Sequence, residues 1–377
     1  MLTQALLTLA LAINAPPAPS KFEKLARDIE TQVQAGKDGI TAAWDSDGFL
    51  AKVMAGSGDD INNDFKKGFA KGYKSKEGSL GQTIASTVTQ GGRFRLMRIH
   101  EEGGQTRLLY RLLMPTGGLS YFDLVTTPAG KVVDAYIFTS GELLSETIRR
   151  LYLQTAAEAS QGLFDKLKGK EQLFLKNLPT LTAMQNANND KQPAKALELY
   201  KGLPEPLRRD RLFLVARLQA AQAVSDDEYL KAIDELRAAF GNDPASDLMA
   251  IDGFFLKKKY DLAIEAINRL NTAVGGDAYL VFMRGSMLSA TGKGADAKTT
   301  FIEASKMEPS LTEPYWALVE MSLNDKKFNE TTQWLLAIER ETNTRLKDLK
   351  NEPTYAAFVK SPHYKKWLAV RPKLSNQ

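Results

Sequence analysis

The sequence predicts an α+β protein: amino-terminal helices on an antiparallel four-stranded meander, followed by an all-α superhelical solenoid of helical hairpins. Three observations carry this. Apolar residues recur at helical spacing from Phe22 to Tyr73, alternate with period two between Arg93 and Thr139, and return to helical spacing from Leu151. The alternating stretch is cut by EGGQ, PTGG and TPAG, which are hairpin-turn chemistry. In GKGADAKTTFIEASKMEP, residues 292–309, Ala297, Phe301 and Ala304 fall on one helix face, and the same phase recurs upstream.

Length and composition bound the reading. The 377 residues suffice for two or three domains, and 43% hydrophobic with 25% charged residues is ordinary for a globular chain. The formal charge of +5 is uneven: residues 350–377 hold six Lys/Arg and one Glu, while the rest balances at 44 against 44. A nucleic-acid binder carries its excess on the folded body, so no nucleic-acid partner is expected. With no cysteine, disulfides, thiolate nucleophiles and Cys-based zinc sites are excluded. That composition suits a chain exported to an oxidising space.

Residues 1–20 read MLTQALLTLALAINAPPAPS, a short apolar run ending in small residues and prolines. This matches a secretory signal with Ile13 and Ala15 before the cleavage point, and predicts a periplasmic or secreted protein. No Lys or Arg precedes the run, and a frayed amphipathic helix is the alternative. No stretch reaches the length of a membrane span, so stable membrane insertion is not expected.

The first folded region is placed at 21–155. Phe22, Leu25, Ile29 and Val33 predict a helix ending near Gly36; Trp44, Phe49, Leu50, Val53 and Met54 predict a second; Ile61, Phe65, Phe69 and Tyr73 a third. Strands follow at 93–101, 106–114, 119–126 and 131–139, with a shorter candidate at 83–89. Along 106–114, Leu108, Tyr110, Leu112 and Met114 face one way, and Arg107, Leu109, Arg111 and Leu113 the other. The helices are expected to cover the first, wholly apolar face. Residues 134–147 read as the exit into a linker helix (156–176), with Ser145 and Glu146 as helix-start chemistry. This order of elements resembles the NTF2-like and cystatin-like folds. The resemblance implies a cone whose pocket, in relatives, holds a small ligand, a catalytic pair or nothing.

No nucleophile, base and orienter converge on any motif. His100, beside Glu101 and Glu102, reads as a solvated hairpin end, and His363 is unrelated to it. Asp45, Asp47 and Gly48 open like a calcium loop, but Gly56 stands where that loop needs its glutamate. Asp59, Asp60 and Asp64 read as a helix start. Gly292, Lys293 and Gly294 lack phosphate-loop spacing. No cofactor, metal or enzymatic activity is expected.

From 177 to 345 one frame fits five stretches. Ala196, Ala232, Ala263, Ala297 and Thr331 are spaced by 36, 31, 34 and 34. Four residues on come Tyr200, Leu236, Ile267, Phe301 and Leu335, and three further Leu203, Ala239, Leu270, Ala304 and Ile338. Tyr229, Tyr260 and Phe328 precede the small residue by three, Pro244 and Pro309 follow at the unit's end, and Gly285 sits early in the best unit. This pattern resembles the tetratricopeptide repeat (TPR) family; a generic α-solenoid or helical bundle is the alternative. The resemblance implies that the first helix of each unit lines a concave, partner-binding groove. Carried onto this chain, the groove residues are Arg217, Leu248, Asp252, Phe255, Tyr279, Phe282, Ser286, Trp316, Glu320 and Asn324. Phe282 and Trp316 would form an aromatic ladder there, unless they pack between repeats. Residues 346–377 are expected to cap the solenoid, with Lys350, Lys360, Lys365 and Lys366 outward.

The function expected is non-catalytic binding of a peptide or protein in the groove. The alternatives are a ligand-binding or catalytic NTF2-like domain on a repeat platform, and a homo-oligomer built through the groove.

Overall fold

The computed structural model describes residues 20–55, 61–75, 78–159, 169–241 and 243–373. The chain is α+β, and it divides into two compact units, residues 1–138 with 142–175, and residues 139–141 with 176–377. The expected signal segment, and Asp59 and Asp60, lie outside the described residues.

The first unit opens with α1 (Lys21–Gln34), whose start is fixed by the Ser20 hydroxyl accepting from the Glu23 N–H at 3.1 Å. Its apolar stripe buries Ala26, Ile29 and Val33. A 3₁₀ turn (Thr41–Ala43) leads to α2 (Ser46–Met54), capped by Asp45, which accepts from the Gly48 N–H at 3.0 Å. That bond assigns Asp45 to helix initiation. Helix α3 (Asn63–Lys74) is capped by Asn62, with Asp64 in its first turn.

Residues 83–89, a candidate strand, form the second half of helix α4 (Ser79–Thr89). Its threonines gave the segment a β-like composition, but Leu80, Ile84 and Val88 recur every four residues and all reach the core. The Thr83 and Thr87 hydroxyls donate to the carbonyls four residues back, at 2.6 and 2.9 Å, which satisfies them inside a helix.

The sheet runs β1 (Arg93–Glu102), β2 (Gln105–Leu113), β3 (Leu119–Thr126), β4 (Val132–Ile137) and β5 (Glu142–Leu143), antiparallel and in sequence order. It therefore has five strands, one more than the meander expected. The fifth is two residues long, Leu143 opposite Tyr136 and Glu142 opposite Ile137, too short for any alternation to show. Gly103 and Gly104, with φ of +61° and +75°, form the two-residue turn between β1 and β2. Leu108, Tyr110 and Leu112 pack with Phe94, Leu124, Ala26, Ile29 and Ile84 in one buried cluster. Phe94 and Tyr110 stack at 4.7 Å, and the Tyr110 hydroxyl donates to the Ala26 carbonyl at 2.9 Å. Met114, expected on this face, lies beyond the end of β2 and is exposed. The polar exit from β4 is helix-start chemistry: Ser145, in the first turn of α5 (Leu144–Ala159), bonds buried Asp134, and the Glu146 carboxylate accepts from the Leu143 N–H.

After α6 (Gly169–Asn189), the second unit is helical: α7 (Pro193–Lys201), α8 (Glu205–Arg208), α9 (Arg211–Val224), α10 (Asp226–Phe240), α11 (Pro244–Leu256), α12 (Tyr260–Val274), α13 (Ala278–Ala290), α14 (Gly294–Met307), α15 (Glu313–Asn324) and α16 (Phe328–Thr342). From α9 on, each helix packs on its neighbours in sequence, as a solenoid requires. The sequence phase is a burial phase: Ala196, Ala232, Ala263, Ala297 and Thr331 are all fully buried, and Tyr200, Leu236, Ile267, Phe301 and Leu335 are buried as well. Lys191, Lys258, Gly292 and Lys326 take left-handed backbone, with φ between 55° and 77°, each five residues before the small buried residue of α7, α12, α14 and α16. Asp210, Asp243 and Asp277 cap α9, α11 and α13 in the same way, each accepting from the N–H two residues on.

The carboxyl-terminal segment forms two short helices, α17 (Ala356–Val359) and α18 (Pro362–Ala369). Phe358, Tyr364 and Trp367 are buried with Tyr315, Val319, Leu335 and Ile338. Fully buried Glu339 is bound by Arg371 and by the Leu346 N–H at 2.9 Å, and Arg371 lies over the Trp367 ring at 4.3 Å. The four lysines face outward. No helix among the described residues is long and apolar enough to cross a membrane.

Candidate functional site

The ten expected groove residues separate by exposure. On α11, Asp252 and Phe255 are exposed, with Phe255 6.2 Å from the Tyr260 ring, while Leu248 is buried. Burial, with the Asp252 charge nearby, pushes the Tyr229 hydroxyl up to about 12. On α15, Trp316, Glu320 and Asn324 are exposed at intervals of four, a strip about 12 Å long on one helix face. On α13, Ser286 is half-buried and spends its hydroxyl on the Phe282 carbonyl.

Besides buried Leu248, three residues depart from the groove expectation. Tyr279 is buried. Phe282 lies 5.7 Å from the Tyr279 ring and 5.8 Å from Phe301, so it fills space between α13 and α14. The aromatic ladder is thus reduced to Trp316, with Phe282 in the packing reading. Arg217, on α9, is 5% exposed and bound to Glu228 at 2.9 Å and to Glu235 at 2.9 Å. An arginine that stays charged must take its counter-ions inside with it, and two glutamates of α10 supply them.

That ion network backs a cleft which sequence reasoning missed. Tyr200, Glu205, Arg208, Arg209, Glu235, Ala238 and Ala239, from α7, α8 and α10, line a volume of about 560 Å³. Arg217 lies behind Tyr200, 5.3 Å from its ring centre. The Tyr200 hydroxyl donates to the Arg208 carbonyl at 2.8 Å and lies 3.1 Å from Glu235, and burial with that carboxylate pushes its pKa well up. The detectable signal was the first spacing of 36 residues, against 34 in the last two units, with the segment PEPLRRD inside it. Residues 205–208 of that segment form α8, and Ala239 is only half-buried where its counterparts Leu203, Leu270, Ala304 and Ile338 are covered.

In the first unit, His100 corrects its expectation. It is half-buried and lies 3.0 Å from an Asp123 oxygen, on the strand two away, rather than in solvent. His100, Glu102 and Asp123 bring their ligand atoms within 4.8 Å of one another. The positive charge there is supplied by Arg107, 3.2 Å from Glu102 and 3.3 Å from Asp123. A divalent cation would compete with a guanidinium already placed between both carboxylates. Beneath the helices, the cavity lined by Ile40, Trp44, Tyr73, Leu80 and Leu144 holds only about 20 Å³, room for one water.

No family model, curated protein or solved structure matches the chain.

Proposed function

We propose that the second unit is a TPR-like solenoid, and that the protein acts without catalysis as an exported scaffold binding a protein or peptide along its first helices. The observation that carries this reading is the strip Trp316, Glu320 and Asn324. A large aromatic left 37% exposed beside a carboxylate and an amide is the make-up of an interface anchor with a polar rim. The repeated left-handed turn and the repeated aspartate caps support the repeat assignment, since both return at a spacing near 34 residues. The cavity described beneath the first unit's helices, at about 20 Å³, has no room for a small ligand, so among the described residues nothing favours the NTF2-like alternative over the groove reading. Export rests on the amino-terminal sequence alone.

The test places a photoreactive residue at 316 in the full chain in its native host, with a matched probe at exposed Asn329 on α16. A crosslinked partner from 316, absent from 329 and lost on Glu320→Lys, is expected. Equal crosslinking from both positions would sink the groove assignment.

A further inference from the structure

We propose that the exposed basic face of α3 binds the surface of an anionic phospholipid bilayer. The site lies in the first unit and does not rest on the groove reading of the second.

Helix α3 carries two opposite stripes. Phe65, Phe69 and Tyr73, spaced by four and half-buried, turn inward: Phe65 and Phe69 lie 5.9 Å and 4.9 Å from the Tyr152 ring of α5, and Tyr73 stacks on Phe49 of α2 at 5.1 Å. Lys67, Lys71 and Lys74 follow at spacings of four and three, which puts them within about 60° of one another and opposite the aromatics. All three are exposed, and no residue of the helix is fully buried. The charge on this side is open. Four lysines stand against Asp64 on α3, a net of +3 (4 − 1). Lys74 is shared with Asp47 of α2 at 2.6 Å, whereas the side chains of Lys67 and Lys71 make no ion pair or hydrogen bond among the described residues.

The kind of partner follows from what the face holds and what it lacks. It has no arginine fork to clasp a single phosphate or carboxylate. Its aromatics are turned inward, so no ring is offered for a nucleic-acid base to stack on. What remains is a ridge of point charges spanning about 10 Å, which suits a flat, laterally continuous field of lipid phosphates. At Gly68 and Gly72 an added methyl would meet nothing within 4 Å. With no side chain on that exposed flank, the helix can lie close to such a plane.

The full-length protein is sedimented with vesicles of phosphatidylcholine and phosphatidylglycerol, and in parallel with phosphatidylcholine alone, at low and at physiological salt. Binding to the mixed vesicles that weakens with salt, and none to phosphatidylcholine, is expected. A lysine near a charged surface contributes roughly fivefold, so Lys67→Gln with Lys71→Gln should weaken binding about 25-fold at unchanged helicity. The carboxyl-terminal segment is also basic, so Lys365→Gln with Lys366→Gln is the companion variant, and it should stay within about twofold of wild type. No binding to the mixed vesicles, equal binding to both kinds, full binding by the α3 variant, or a larger loss in the carboxyl-terminal variant would overturn the proposal. Tighter binding to poly-L-glutamate or to oligothymidylate than to the mixed vesicles, compared at equal anionic charge, would overturn the lipid surface in favour of that partner.

Discussion

Replacing Gly285 by alanine tests the helix-on-helix packing at the centre of the repeat. Helical glycine to alanine normally stabilises by up to about 1 kcal/mol, by lowering backbone entropy in the unfolded chain. At Gly285 the added methyl would lie 2.6 Å and 2.7 Å from two atoms of the Phe301 ring, against an ordinary carbon contact of roughly 3.5–4.0 Å. The ring would have to shift by about 1 Å, and Phe301 is buried in a cluster with Ala297, Leu318 and Phe282, which the shift would disturb. Overpacking of this kind costs about 1–3 kcal/mol, so Gly285→Ala should destabilise by about 1–2 kcal/mol net. Phe301→Ala alone should cost about 3–5 kcal/mol. In that background the methyl meets no ring, and Gly285→Ala should reverse sign and stabilise by up to about 1 kcal/mol. The coupling is then about 2–3 kcal/mol. Because a chain of two units need not unfold in one step, hydrogen exchange over α13 and α14 should accompany guanidinium denaturation followed by circular dichroism. Gly72 is the control, since a methyl there meets nothing within 4 Å and should simply stabilise α3. Stabilisation by Gly285→Ala in the otherwise unchanged protein would refute the packing argument.

Arg371→Ala should strip buried Glu339 of its closest counter-ion, leaving Arg345 at 3.5 Å and the Leu346 N–H, and cost about 3 kcal/mol. Limited proteolysis should then cut within 343–373 first, and resistance equal to wild type would contradict the role given to Arg371. Alkali should unfold the second unit before ordinary tyrosines alone would require it. The folded Tyr229 hydroxyl ionises at about 12 and the unfolded one near 10, so between those values the unfolded state binds fewer protons and stability falls as pH rises. The loss is roughly 2–3 kcal/mol, fully present as stability below pH 10, and Tyr229→Phe should flatten it. An unchanged denaturation midpoint from pH 10 to 12 would count against that burial.

Much of this protein is legible in its sequence because periodicity is a local property. The strand alternation, the hairpin glycines and the small-residue phase of Ala196 to Thr331 each follow from neighbours on one element, and the fold contains them. The errors lie where locality misleads. Threonine content made α4 look like a strand, although Leu80, Ile84 and Val88 already carried the helical stripe. The two residues of β5 are ordered by their partners on β4, and no sequence pattern of their own exists to detect.

Which charged side chains meet is decided by the tertiary structure. The repeat phase alone assigns Arg217 to an open groove; only the packing of α7, α9 and α10 turns it inward onto Glu228 and Glu235, because a buried guanidinium is tolerated only where carboxylates from another helix reach it. His100 and Asp123 are likewise two strands apart, and Arg107 lies between Asp123 and Glu102 through register rather than sequence proximity. What the sequence by itself determined is where each helix and strand hides its apolar face. The three-dimensional packing decided which charges are spent on one another, because Coulomb partners are chosen by distance in space.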